Sequence, residues 1–223
     1  MPATPFDTII EAARLRHGAA ALDARLPQPK SASELAAIRD DRYLSQMSLR
    51  IFRAGLKHSV VDAKWPAFEE VFAGFDPRRV RAMSDEAMEQ LLGDTRLIRH
   101  WGKLKAVRDN AAAMLAVAGE FGGFGAWIGT WPSNNIVGLW DALAARFSQM
   151  GGNSGPMLLR MVGRDTFVLS PSVSAALKRW AGLSSLKSKS VRAAAQACFN
   201  AWAAETGRPL SQLSMILAMS VDG

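Results

Sequence analysis

The sequence predicts an all-α protein, and three observations carry that prediction. Apolar residues recur at three- and four-residue steps along most of the 223 residues, which is the spacing of one buried helix face. Serine, aspartate and proline stand where helices would begin. No segment of strand length alternates polar with β-branched residues. At 49% hydrophobic content, the chain can bury a sizeable core or two small helical lobes around a shared cleft.

The first third of the chain contains three predicted helices. The first runs from Phe6 to Leu26 and stops at the break from Pro27 to Pro29, so residues 1–30 form an N-terminal helical extension. Ser33 can cap a short second helix. The third spans Arg42 to Leu56, with apolar side chains on one face.

The middle of the chain continues in the same way. Pro66 suits the first turn of a helix, and Ser84 followed by two acidic residues is typical of a helix start. Leu104 to Leu115 marks another buried face. The glycine-rich stretch from Gly119 to Gly129 lacks the Gly-Lys-Ser/Thr ending of a phosphate loop, so it is interpreted as a turn between helices.

The C-terminal part is predicted to contain a polar linker at residues 184–190 and two last helices at residues 191–205 and 210–221. Internal repeats and low-complexity tracts are absent from the sequence. Residues 1–223 are therefore expected to form a single helical domain.

The net charge and the cysteine content indicate which class of partner and which cellular compartment to expect. A formal charge of +7 and a pI near 10.1 favour polyanionic partners. No apolar run reaches the roughly 20 residues of a membrane span, and residues 1–30 lack a signal-peptide core. Cys198 is the single cysteine, so the chain has no internal disulfide. We expect a cytoplasmic protein without a membrane partner.

Residues 142–177 have the pattern of two short helices joined by a glycine-rich turn. Such a turn exposes backbone N–H groups where the second helix begins, which suits a DNA phosphate. The alternative is a tight helix–helix turn without a ligand. The candidate DNA-binding residues here are Gly151, Gly152, Ser154 and Gly155.

The stretch from Ala54 to Asn110 carries a family resemblance. Its motifs are the AGL at residues 54–56, the FDP at residues 75–77 and the I-R-H-x-G-K from Ile98 to Lys103. They resemble the bacterial 3-methyladenine DNA glycosylase I (Tag) family. Residues 142–177 are similar to the helix-hairpin-helix element of the DNA glycosylase superfamily that includes endonuclease III. The catalytic aspartate of that superfamily is replaced by Ser170, and the Tag family also works without it.

The resemblance implies a DNA glycosylase with a helix-hairpin-helix fold. Such an enzyme would act as a monomer on double-stranded DNA, hydrolyse the N-glycosidic bond of an alkylated base of the 3-methyladenine type, and need no cofactor. Lys103 lies in a matching motif and could contact the DNA backbone. The alternatives are a protein on the same fold that binds DNA damage without cutting, and a helical scaffold that binds no DNA.

The resemblance also exposes a departure at the expected base pocket. The family's glutamate and tryptophan fall on Arg50 and His58. Like charges about 4 Å apart cost on the order of 4 kcal/mol at an effective dielectric near 20, so an arginine should disfavour a cationic base. Either the pocket accepts a neutral or different lesion, or Arg50 meets a phosphate and Asp62 serves as the carboxylate. A solvated Arg50 and a surface His58 are the simpler alternatives.

Tyr43 and Trp65 are the aromatic residues near this segment, so each is a candidate for stacking on a base, although a core position is the alternative. The zinc site usual in the Tag family needs two cysteines and two histidines. Cys198 and three widely spaced histidines cannot supply that set, so we expect no metal.

Overall fold

The computed structural model describes residues 4–183 and 188–222, and these form fourteen α-helices without a strand. The all-α prediction is confirmed. The helices are α1 (Phe6–His17), α2 (Ala19–Asp23), α3 (Ala32–Ala36), α4 (Asp40–Arg53), α5 (His58–Val71), α6 (Pro77–Arg81), α7 (Asp85–Gln90), α8 (Trp101–Phe121), α9 (Phe124–Thr130), α10 (Ile136–Arg146), α11 (Ser154–Val162), α12 (Pro171–Ala181), α13 (Lys189–Thr206) and α14 (Leu210–Met219).

The chain divides into two compact units. The terminal unit comprises Met1–Lys30, Trp131–Leu139 and Gly163–Gly223, and the central unit comprises Ser31–Thr130 and Trp140–Val162. The described part of the N-terminal extension, residues 4–30, thus folds with the C-terminal helices. The expectation of a single domain with a cleft stays a prediction. Part of the predicted linker, residues 184–187, lies outside the described residues.

In the terminal unit, α14 is the packing centre, because α1, α12 and α13 all contact it. The core of this unit contains aromatic side chains, and the rings of Phe167 and Phe199 stack with their centroids 4.0 Å apart. The start of α14 is held by Asp165, whose carboxylate accepts hydrogen bonds from the Leu210 and Ser211 amides at 3.0 and 2.9 Å. This carboxylate satisfies amides that have no partner inside the helix.

In the central unit, the packing centre is α4. It contacts α5, α8, α9 and α11 and buries eight of its fourteen residues.

Within the described residues no single helix is long and apolar enough to cross a membrane; only α8 and α9 together, bent by 63°, have the length and composition.

The helix starts predicted at Ser84 and for the last two helices agree with α7, α13 and α14 to within two residues. Pro66 was expected in a first turn, and that prediction is wrong, because α5 begins at His58 and contains Pro66 in its interior. Pro66 is exposed, so the helical carbonyl that loses its N–H donor can be hydrated.

The turn predicted from Gly119 to Gly129 is also largely wrong. Only Gly122 and Gly123 break the helices, and Gly122 takes a φ of +78° as the C-cap of α8. Gly125 lies inside α9, where α9 crosses α3. A Cβ there would stand 2.1 Å from the Leu35 carbonyl oxygen, so the glycine permits a close helix approach.

We expect Gly125→Ala to lower the free energy of unfolding by about 1–3 kcal/mol or more, because the added methyl group forces α3 and α9 apart. Gly119→Ala is the matched control. It lies near the end of α8 with nothing within 4 Å of its Cβ position, so it should raise stability by up to about 1 kcal/mol. Urea unfolding of both variants measures the difference, and equal stabilities would contradict the close approach.

Candidate functional site

The last turn of α4 is held by the side chain of Lys103 from the first turn of α8. His100 caps α8, with its Nδ1 accepting a hydrogen bond from the Lys103 amide at 3.3 Å. The Lys103 side chain then crosses to α4, where Nζ donates to the carbonyl oxygens of Phe52 at 3.3 Å and Ala54 at 2.7 Å. Carbonyls at a helix C-terminus have no partner inside the helix, and an ammonium both satisfies them and complements the dipole.

This arrangement corrects the prediction that Lys103 contacts DNA. Only 8% of the residue is exposed, and its ammonium is already bound to two carbonyls. Through Lys103, the basic motif links the start of α8 to the end of α4 and so has a structural role. Burial and the nearby charge of Arg50 lower the pKa of Lys103.

Arg50 lies in the same last turn of α4 and is partly buried. Its Nε is enclosed, and no partner for this side chain is found among the described residues. Burial, with a smaller contribution from the charge of Arg53, lowers the pKa of Arg50. A guanidinium that loses water without gaining a hydrogen bond is energetically unfavourable, so this group is available for a ligand.

Asp62 does not serve as a free carboxylate beside Arg50. It is paired with Arg53, whose Nε donates to its Oδ1 at 2.9 Å and whose Nη2 lies 2.7 Å from the same oxygen as an ion pair. The sequence could not show that Arg53 already neutralises the charge of Asp62. The expectation that Asp62 replaces the family's glutamate is corrected on this ground.

Tyr43 is a core residue. It is fully buried, its hydroxyl donates to the Leu35 carbonyl oxygen at 2.8 Å, and its ring centroid lies 4.9 Å from that of Phe124. The burial leaves neither face of the ring open to a base, so the stacking prediction for Tyr43 is wrong.

Trp65 is half-buried and belongs to a row of aromatic rings. Its ring stacks near those of Phe68 and Phe75, with centroids 5.0 and 5.4 Å away. Its Nε1 donates to Ser45 Oγ, which in turn donates to Glu69 Oε1 at 2.6 Å. The stacking partners in this structure are therefore protein rings. No spacing signal in the sequence pointed to the Ser45 and Glu69 contacts, because they join α4 to α5.

His58 begins α5 and is exposed, with no partner among the described residues. Two apolar side chains beside it are also exposed, Leu56 at 42% and Val60 at 50%. The end of α4 and the start of α5 thus present the partly buried Arg50, the exposed Lys57 and His58, and two apolar side chains.

The predicted helical hairpin is formed by α10, a turn and α11. Asn110 of α8 fixes the turn, since its side-chain amide accepts from the Ser148 N–H at 2.7 Å and donates to the Ser148 carbonyl at 3.1 Å. The next residue, Gln149, has a φ of +60° and donates from Nε2 to the Gly102 carbonyl at 2.7 Å. A left-handed conformation costs roughly 1–2 kcal/mol for a residue with a Cβ, so these contacts hold a strained backbone.

The amides of this turn differ in availability. The Ser154 N–H is bonded to the Gly151 carbonyl and the Gly155 N–H to the Met150 carbonyl, each at 3.1 Å. These two predicted phosphate donors are therefore already used. Within the described residues no acceptor is bonded to the N–H of Gly151 or Gly152, and both residues are exposed.

Gly155 has a packing role instead. It is buried, and a Cβ at this position would stand 3.1 Å from the Met150 carbonyl oxygen and 3.5 Å from the Leu143 side chain. Gly152 has a φ of +58° with open space around it. The part of the hairpin that can meet an anion is thus the pair Gly151 and Gly152.

Ser170 lies in the terminal unit. It caps α12, with its hydroxyl accepting from the Val173 amide at 3.2 Å. A cavity of about 280 Å³ in the same unit is lined by Asp165, Asn200 and Arg208 among others. Across the described ranges, no group of three or more His, Cys, Asp or Glu side chains could hold a metal ion.

Comparison with known proteins identifies the family of this chain. Residues 35–149, just over half of the chain, match the family described as Methyladenine glycosylase. This chain belongs to that family. The matched region contains Arg50, Lys103 and Asn110 and ends just before the hairpin glycines.

Individual relatives agree with the methyladenine glycosylase assignment. The chain is 41% identical over 63 residues to DNA-3-methyladenine glycosylase 1 of Escherichia coli K12, a stretch that spans 28% of this chain and only 34% of that protein. A crystal structure of 3-methyladenine DNA glycosylase I has a TM-score of 0.51 at 24% identity, covering 64% of this chain and 85% of its own. The Staphylococcus aureus enzyme gives 0.51 at 19% identity, covering 68% and 85%. These structural likenesses establish a shared fold.

We expect Lys103→Met to lower the free energy of unfolding by about 1–3 kcal/mol, because it leaves the Phe52 and Ala54 carbonyls without a donor. Lys105→Met is the matched control. Lys105 is exposed and forms an ion pair with Asp109 on the helix surface, so its loss should change stability by no more than about 0.5 kcal/mol. Chemical denaturation separates the two variants, and similar small losses would show that water replaces the ammonium.

Proposed function

We propose that this chain is a DNA glycosylase that hydrolyses the N-glycosidic bond of an alkylated base as the first step of base excision repair. The observation that carries the proposal is the methyladenine glycosylase family match over residues 35–149. The substrate is a damaged base in double-stranded DNA, and the protein acts in the cytoplasm as a monomer without a cofactor or metal. Zinc analysis and unfolding in excess chelator test the last point.

The chemistry asks little of the protein beyond binding and electrostatics. The target base must leave the stack and enter a site that holds its face and its edge. Water attacks C1′ of the deoxyribose as the base departs. The end of α4 and the following residues support this role, because Arg50 is unpaired and Leu56 and Val60, a few residues further along the chain, are exposed.

The hairpin supports binding to the DNA backbone. The N–H groups of Gly151 and Gly152 are exposed and have no acceptor among the described residues, which suits a phosphate oxygen. The formal charge of +7 also favours a polyanion.

A second candidate function is recognition of damaged DNA without base removal. One observation favours it: Arg50 stands where the family resemblance places a carboxylate.

One assay decides between the two candidates. Purified protein is incubated with methylated duplex DNA, and the released bases are separated by chromatography. We expect enzyme-dependent release of at least one alkylated base. Binding to damaged duplex without release of any base would instead support the second function.

We expect Gly151→Glu to weaken binding to all duplexes by about tenfold, damaged or not, because a carboxylate would face the DNA phosphate. The position is suitable, since a Cβ at Gly151 meets nothing within 4 Å and its φ is not positive. Ala193→Glu, on an exposed position of α13, adds the same charge in the terminal unit and serves as control. Equal affinities of the two folded variants in a fluorescence anisotropy titration would leave the hairpin as a structural turn.

A further inference from the structure

Three cations influence one another at the end of α4, namely Arg50, Arg53 and Lys103, and of these three only Arg50 has no partner among the described residues. Asp62 neutralises Arg53 through a hydrogen bond from Nε and an ion pair with Nη2. Lys103 is bound to the carbonyls of Phe52 and Ala54. Arg50 has neither an ion-pair partner nor a hydrogen bond among the described residues, although its Nε is buried.

This surplus charge excludes one class of ligand and favours another. A base that carries a positive charge would meet like charge at short range, in a place where burial weakens screening by solvent. A base without charge can instead offer oxygen or nitrogen acceptors to the guanidinium. The planar donors of arginine match two adjacent acceptors on a purine edge, such as those read in DNA grooves.

The positive charge of Arg50 also affects how easily the glycosidic bond breaks. When a cationic alkylated base leaves, the electron pair of the glycosidic bond neutralises it, so the departing base needs no stabilising charge. When an uncharged base leaves with that electron pair, it becomes an anion. Water supplies the hydroxyl that bonds to C1′, and the proton released from water ends on the base. A guanidinium at the base edge stabilises the anion before the proton arrives.

We infer that Arg50 selects an uncharged alkylated base and stabilises its departure as an anion. This inference rests on the proposed glycosylase function, and it narrows the substrate class. Asp62, the carboxylate that could have reversed this preference, is held by Arg53. The substrate class is therefore an alkylated purine without net charge that presents acceptor atoms at its edge.

Single-turnover base release tests the inference on two substrates. One duplex contains a single ethenoadenine, an alkylation product that is uncharged at neutral pH. The other is methylated duplex DNA carrying cationic 3-methyladenine and 7-methylguanine. After subtraction of spontaneous loss, we expect wild-type protein to accelerate release of ethenoadenine at least tenfold more than release of 3-methyladenine.

Three variants assign that preference to the charge. Arg50→Lys keeps the charge and should keep the preference, whereas Arg50→Glu should reverse it by favouring the cationic base at least tenfold. Arg39→Glu makes the same charge change at the opposite end of α4, where the arginine is 82% exposed, and should leave the preference unchanged. Circular dichroism establishes that each variant is folded, and Arg50→Gln, which only removes the charge, replaces Arg50→Glu if the latter unfolds.

The outcomes separate this inference from the proposed function. Release of 3-methyladenine at a rate equal to or above that of ethenoadenine would overturn the inference and leave the glycosylase function standing. A folded Arg50→Glu or Arg50→Gln variant with the wild-type preference would also overturn it. Failure of the wild-type protein to release any base from either duplex would refute the glycosylase function itself.

Discussion

The ammonium of Lys103 is the contact on which the candidate site depends. It comes from the first turn of α8 and binds the carbonyl oxygens of Phe52 and Ala54, where α4 ends. Without that donor the end of α4 would carry buried carbonyls with no partner. Arg50 lies in the same turn of α4, so the hydrogen bonds of Lys103 also help to position the Arg50 guanidinium.

The same helix also fixes the hairpin turn of the central unit. Asn110, two turns further along α8, holds Ser148 with both atoms of its side-chain amide, and the Gly102 carbonyl holds Gln149. One rigid element therefore sets both the place of the unpaired cation and the place of the free hairpin amides. A site that must hold a base and a phosphate at once benefits from such a common support.

Sequence patterns predicted the parts of the protein that depend on neighbouring residues. Helix starts such as Ser84 were found because a cap and its acceptors lie within one turn of chain. The hairpin was found because glycine marks turns, and the family was found because short motifs recur at fixed spacing. Errors arose where a residue's role depends on a distant partner. Gly125 suggested a turn, yet it is required by the Leu35 backbone, 90 positions earlier in the chain.

Prediction of the candidate site from the sequence was limited for the same reason, because the roles of its residues depend on partners that are distant in the chain. Residue type made Lys103 a DNA-binding cation, Asp62 a free carboxylate and Tyr43 a stacking ring, and each was taken up by a partner on another helix. Arg50 was recognised as unusual, but its lack of a partner could emerge only after every neighbour had been placed.

Asn110 illustrates a constraint of another kind. Its side-chain amide imitates a peptide group, since it gives one hydrogen and takes one from the backbone of a single residue. Aspartate has the same shape but no hydrogen to give, and leucine has neither function. No other coded side chain of this shape has both a donor and an acceptor, so over long divergence this position should tolerate far less change than the exposed helix surface around it.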